Sequence, residues 1–360
     1  MSHHHPLDPT NDNRAAASGR ADLRREGDPI VVEVTRGPIV ESRHRGIAVI
    51  ADAHGRVQGH WGDLGRSIYP RSAIKSLQAL PLVESGAADA FSVSEEELAL
   101  SCSSHNGEKV HTKSVAAWLD RMGLSADDLE CGAQIPYDSA TAEALVRDGV
   151  PTSALHNNCS GKHAGFLAVA KHLGEPTGGY VRFDHPVQQR ILGILEQMTG
   201  QELGDAPWGV DGCSIPTVAV PLGGLAVAMA RLADPEDLPE KRAEAAVRLR
   251  TAWGKHPYLI AGRDRFDTAV MKAGQGRFMV KAGAEGVSCA VLPEQGLGIA
   301  VKIEDGAERA ASVAMAALLR HVGALDDAGW ASLGDAGHPV LKNRRGLEVG
   351  QVRAADGFPG

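Results

Sequence analysis

Apolar and polar positions alternate in short runs at both ends of the chain and recur at helical spacing through its middle. From residue 29, "PIVVEVTRG" and "RGIAVIAD" carry the β-branched, period-two signature of strands. The turn formers "AHGR" then lead into "VQGHWGD", which reads as the returning arm of a hairpin. From residue 71 to about 255 the period lengthens. Helices are predicted in "RSAIKSLQALPLVESG", "SEEELALSCSS", "KVHTKSVAAWLDRMG", "KHAGFLAVAKHLG", "PVQQRILGILEQMTG" and "EKRAEAAVRLRTAWG". Ser94 and Glu97 have the spacing of a capping box and mark the start of the second. Strand periodicity returns in "GRFMVKAG", "GVSCAVLPEQ" and "GLGIAVKIEDG", followed by a long amphipathic helix, "AERAASVAMAALLRHVGAL", and a short final strand in "LEVGQVRAAD".

Strand-rich ends around a helical middle predict an α/β fold. One mostly antiparallel sheet is built from strands within residues 28–62 and 275–355, flanked by helices, with the helical region 71–270 beside it. A single domain is expected over residues 28–360, with a site where the two lobes meet. Residues 1–27 are polar and rich in turn formers, and are expected to form a disordered extension.

Charge and cysteine content narrow the function. The formal net charge is -8 with both signs interspersed, which argues against a nucleic-acid partner. No apolar run is long enough for a membrane span and no signal-peptide core is visible, so a cytoplasmic protein without a membrane partner is expected. The five cysteines are an odd number, which favours reduced thiols free to act as ligands or nucleophiles over a disulfide framework.

Three short elements carry candidate acyl-transfer chemistry. Ser72 and Lys75 in "RSAIKSLQ" are spaced at i and i+3, one turn apart on one helix face. A lysine kept neutral by burial can serve such a serine as base. Ser104, His105 and Asn106 in "SCSSHNGE" form a Ser-x-Asn pattern at a helix end, and Lys281 with Gly283 in "MVKAGAEG" approaches the Lys-Thr-Gly form. Their order along the chain is that of serine acyl-transfer enzymes of the penicillin-binding type.

A fourth element, "HNNCSGKHAG", leaves several readings open. Ser160 is expected to cap the following helix, which places Cys159 at a helix N-terminus where a thiolate is stabilised. Cys159 can be a nucleophile paired with His163 and oriented by Asp211, a packed core residue, or one ligand of a zinc site with Lys162 and Cys213.

Taken in order, "RSAIKSLQALPL", "LSCSSHNGE", "CGAQIPYD", "HNNCSGKHAGFLA", "VDGCSIPTVAVPL" and "VKAGAEGV" resemble the thermolabile, rhizobial-type L-asparaginase II family over residues 28–355. The resemblance implies a serine β-lactamase-like fold and hydrolysis of L-asparagine to L-aspartate and ammonia. It implies two serine and lysine pairs, Ser72 with Lys75 and Ser104 with Lys281. It further implies zinc held by Cys159, Lys162 and Cys213, substrate-binding positions at Arg71, His163 and Asp211, and a homodimer. Ser72 is expected to attack the amide, with backbone N–H groups around Ser72 and after Lys281 as the oxyanion hole. Competing readings are a glutaminase or other amidohydrolase, a β-lactamase or penicillin-binding peptidase, and a non-catalytic zinc-thiolate protein.

Overall fold

The structure, a computed structural model, describes residues 27–359. The extension expected over residues 1–27 lies, Gly27 apart, outside them. The first strands are β1 (Ile30–Arg36), β2 (Ile39–Asp52) and β3 (Val57–Trp61). The last are β4 (Met279–Gly283), β5 (Val287–Leu292), β6 (Leu297–Ile303), β7 (Val340–Lys342) and β8 (Glu348–Ala354). They form one eight-stranded sheet in the order β7-β8-β1-β2-β6-β5-β4, with β3 also paired to β2. Every pairing in it is antiparallel. The two ends of the chain meet where β2 pairs with β6 from Ile299↔Ile50 to Ile303↔Gly46, as the strand-rich termini predicted.

Strand β2 is longer than the apolar run "RGIAVIAD" suggested. Residues 39–43 are mostly exposed and lack an apolar face, yet they extend the strand because β1 pairs alongside them, from Arg36↔Ile39 to Glu33↔Arg43 with a register shift at Glu41. From Gly46 to Asp52 the strand is buried throughout, as is all of β5, so this part of the sheet is covered on both faces.

The predicted helix over 71–86 is broken. A 3-10 turn, Arg71–Ile74, leads into the short helix α1 (Lys75–Gln78) and a further helix, Leu80–Glu84. Pro81 lacks the N–H needed to continue α1 and sits in the first turn of the next helix instead. Helix α2 (Glu95–Ser101) starts with the expected capping box: Ser94 Oγ accepts from the Glu97 N–H, and the Glu97 carboxylate accepts from the Ser94 N–H at 3.0 Å. It stops at Cys102, leaving Ser104 in the loop beyond. Helix α3 spans Ser160–His172.

Helix α4 (Leu222–Ala233), not anticipated from "PLGGLAVAMARLA", lies on β2 and β6 and is largely buried. Its two early glycines, Gly223 and Gly224, lower helix propensity, and burial of Leu222, Leu225, Ala226 and Met229 supplies the stabilisation instead. Gly298 of β6 permits the contact, since a Cβ there would lie 2.1 Å from the Ala226 carbonyl oxygen of α4. Helices α5 (Phe266–Gly274) and α6 (Glu308–His321) pack against the C-terminal strands. No helix among the described residues is long and apolar enough to cross a membrane.

Candidate active site

The site is assembled where the 3-10 turn leading into α1 abuts the edge strand β4. Arg71 has φ +52, a left-handed conformation that a residue with a side chain adopts only when its surroundings hold it. That turn presents half-buried Ser72 and starts the helix on which Lys75 is fully buried. Gly283 at the end of β4 lets the two segments close together: a Cβ there would meet the Pro70 carbonyl oxygen at 2.9 Å and the Ala73 nitrogen at 3.0 Å. The two stretches expected to supply oxyanion donors are therefore neighbours.

Lys75 Nζ lies 2.8 Å from Ser104 Oγ, 2.5 Å from the Ser103 carbonyl oxygen and 3.5 Å from the Asn158 carbonyl oxygen. Lys75 thus joins the first serine element to the second, in addition to the Ser104 and Lys281 pair that the resemblance implies. Burial drives the Lys75 amine toward its neutral form, with Lys162 adding to the effect and the Cys159 and Cys213 sulfurs opposing it. Lys281 on β4 is also fully buried, and burial lowers its amine from 10.5 to about 7 against the pull of Asp267.

The Ser104 loop is tied to α3 through His105. His105 Nδ1 accepts from the Gly107 N–H at 3.1 Å, so Nε2 carries the proton and donates to Ser160 Oγ at 2.9 Å. Ser160 Oγ in turn donates to the Leu155 carbonyl oxygen at 3.0 Å. This corrects the expected cap. Cys159 is itself the N-cap, and Ser160, the first helical residue, spends its hydroxyl on bridging two loops.

At that helix end Lys162 Nζ lies 3.1 Å from Cys213 Sγ, and all three candidate ligands are buried. Cys159 Sγ lies 3.1 Å from Asn158 Oδ1, and the two thiols are shifted in opposite senses, Cys159 downward through Cys213 and the nearby lysines and Cys213 upward through Cys159 and burial. Burial alone would lower Lys162, but Cys159, Cys213 and Asp211 around it raise it and keep it an ammonium. His163, the alternative partner for Cys159, turns Nδ1 to the Tyr180 hydroxyl at 2.8 Å and is held neutral by burial and the nearby lysines. Tyr180 Oη already accepts from the Glu130 N–H, so its hydrogen goes to His163 Nδ1 and leaves His163 Nε2 a buried donor without a partner.

The zinc expectation can be weighed on this donor set. Two buried sulfurs, with the Cys159 thiol shifted toward its thiolate, suit a borderline-soft divalent ion, and Lys162 can join them only by losing its proton. Among the described residues no group of three or more His, Cys, Asp or Glu is placed to hold a metal, so a third protein ligand has to be the lysine. With that proton released, the three residues fit.

Arg71 and Asp211 pair with each other. Arg71 Nη2 and Nε donate to Asp211 Oδ1 at 2.7 and 3.0 Å, and the hydrogen bond raises the guanidinium further. Burial raises the Asp211 carboxyl, but Arg71 and Lys162 outweigh it and keep the group ionised. Asp211 and Cys213 share one tight turn, closed by the Asp211 N–H on the Ile215 carbonyl oxygen at 2.8 Å. Sequence reasoning did not find Tyr180, the Asn158 carbonyl oxygen or Asp267. Each acts through tertiary contact; Tyr180 and Asp267 lie outside the motifs, and Asn158, within "HNNCSGKHAG", contributes its backbone rather than its side chain.

A family model described as L-asparaginase II matches residues 32–354. No curated protein matches the chain significantly. Among solved structures it is similar to a β-lactamase from Mycobacterium bovis, at 14% identity and a TM-score of 0.37, covering 81% of this chain and 95% of that one. A likeness at that TM-score carries no argument. The family match spans nearly all of the described residues and every candidate site position, and the chain belongs to the L-asparaginase II family.

Proposed function

We propose that the protein hydrolyses the side-chain amide of L-asparagine to L-aspartate and ammonia through an acyl-enzyme on Ser72. The observation that carries this reading is the buried, neutral-leaning Lys75 amine placed one turn from Ser72 and 2.8 Å from Ser104 Oγ. A neutral amine has two N–H donors and one lone pair. With the Ser103 and Asn158 carbonyl oxygens taking the donors, the lone pair is left for the Ser104 hydroxyl at 2.8 Å.

In this reading Ser72 Oγ attacks the amide carbon as its proton passes to Lys75, and backbone N–H groups beside Ser72 and after Lys281 stabilise the oxyanion. The proton then goes to the departing nitrogen, and ammonia leaves. Ser104 and neutral Lys281 complete the proton relay in both half-reactions: water attacks the resulting ester, the relay takes up its proton and returns it to Ser72 Oγ, and aspartate is released. The Arg71 and Asp211 pair offers a fixed cation and anion matched to the α-carboxylate and α-ammonium of asparagine. When bound by Cys159, Lys162 and Cys213, zinc supplies a positive charge that orients substrate beside the serines. A cytoplasmic homodimer belongs to the same reading and is checked by sedimentation and cell fractionation.

Ammonia release from asparagine by wild type, Ser72→Ala and Ser104→Ala tests the assignment. Ser72→Ala is expected to abolish turnover. Near-normal turnover in Ser72→Ala, with loss in Ser104→Ala, overturns the choice of nucleophile.

A further inference from the structure

Lys281 and a carboxylate that no motif announces share a buried corner of the fold. Asp267 lies in the first turn of α5 and is 3% exposed, and its Oδ2 is 3.8 Å from Lys281 Nζ. The same oxygen accepts the Ala282 N–H at 2.8 Å, and Lys281 Nζ donates to the Ala282 carbonyl oxygen at 2.6 Å. Both side chains are thus anchored to one residue of β4. Asp267 Oδ1 is buried and has no partner. An asparagine would satisfy the Ala282 N–H without burying a charge, so the hydrogen bond alone does not account for an acid here.

Six ionisable groups face the Lys281 amine: Asp267, Lys75, Arg265, Cys159, Cys102 and Cys289. Lys75 and Arg265 oppose a proton on it, and burial keeps the Cys102 and Cys289 thiols protonated. Asp267 is the carboxylate of this set and the group closest in kind to an ion-pair partner.

We propose that Asp267 is the positioning residue of Lys281, holding its amine at the end of β4 and governing when that amine is free to act as a base. This rests on the reading that Lys281 serves the amide hydrolysis. Asp267 acts through Lys281 and touches no substrate.

The test compares wild type with Asp267→Asn and Asp267→Glu by two readouts. One is the NMR titration of the Lys281 ε-methylene in protein carrying labelled lysine, assigned by its loss in Lys281→Met. The other is the pH dependence of kcat/KM for asparagine. Removing an opposite charge at this range lowers an amine's midpoint by about one pH unit or more. The Asp267→Asn midpoint is therefore expected to fall by that much, and the acid limb of kcat/KM to move down with it. Asp267→Glu, which keeps the charge, is expected to return both toward wild type. Asp267→Ser gives the same measurement if the Asn variant does not fold. An unmoved Lys281 midpoint in a folded, uncharged variant overturns the inference. A moved midpoint in a protein that releases no ammonia from asparagine supports the pairing and overturns the proposed function instead.

Discussion

Replacing Lys281 by methionine exposes the energetic cost of keeping an amine in this site. Methionine fills an unbranched channel without a charge. In the folded protein the amine titrates near 7, against 10.5 ordinarily. That gap corresponds to about 5 kcal/mol against the buried ammonium. The folded value lies below the unfolded one, so between them the unfolded chain holds the proton and the folded chain does not. Stability contributed by this position is therefore lowest below pH 7 and rises as pH climbs toward 10.5. Linkage over the interval from about pH 6 to about pH 9 gives a gain of about 3 kcal/mol for wild type, which Lys281→Met lacks. Asp267 acts in the same sense. Burial raises its carboxyl, so without Lys281 it is neutral in acid and becomes a lone buried charge as pH rises. The variant should be the more stable protein at the acidic end, with an advantage that shrinks by about 3 kcal/mol at the alkaline end. Urea midpoints followed by tryptophan fluorescence at both pH values measure this directly. Parallel stability curves for the two proteins would show that Lys281 titrates as an ordinary surface lysine and would refute the reasoning. Turnover in the same variant should fall roughly 100-fold or more, the usual cost of losing a general base.

Wild-type kcat/KM for asparagine should rise with pH through about 7, as Lys281 becomes neutral, and a profile flat across that region counts against its role as base. Ser104→Ala removes the 2.8 Å partner of Lys75 and should lower kcat about 100-fold with little change in KM, read by ammonia release. Cys159→Ala should abolish stoichiometric zinc in metal analysis and raise KM more than it lowers kcat. Zinc titration of metal-free wild type should release protons, because Lys162 is an ammonium before it ligates. Gly298→Ala forces a Cβ to within 2.1 Å of the α4 backbone and should cost about 1–3 kcal/mol, seen as a lower melting temperature with the site chemistry unchanged.

The sheet was legible from both ends because its strands alternate or carry β-branched runs, as in "RGIAVIAD" and "GVSCAVLPEQ". The capping box at Ser94 was legible because it is a local device, satisfied within one helical turn. What the pattern hid has tertiary causes. Residues 39–43 become strand because β1 pairs with them, and α4 forms despite its early glycines because its apolar residues are buried on the sheet. Of the site, the motif residues were visible as types and spacings, and the structure brings Lys75 and Ser104, Lys162 and Cys213, and Arg71 and Asp211 into contact. Contacts made between distant elements left no trace in the sequence. Lys75 reaches across to Ser104, Ser160 bridges to His105 instead of capping, and Asp267 arrives beside Lys281 from another helix.

The most direct test of the account is ammonia release by the zinc-loaded protein from L-asparagine, with L-glutamine and a β-lactam run alongside. Ammonia and L-aspartate are expected in equal amounts from asparagine, with much slower release from glutamine and loss of the activity in Ser72→Ala. Bound zinc with no ammonia from asparagine would contradict it.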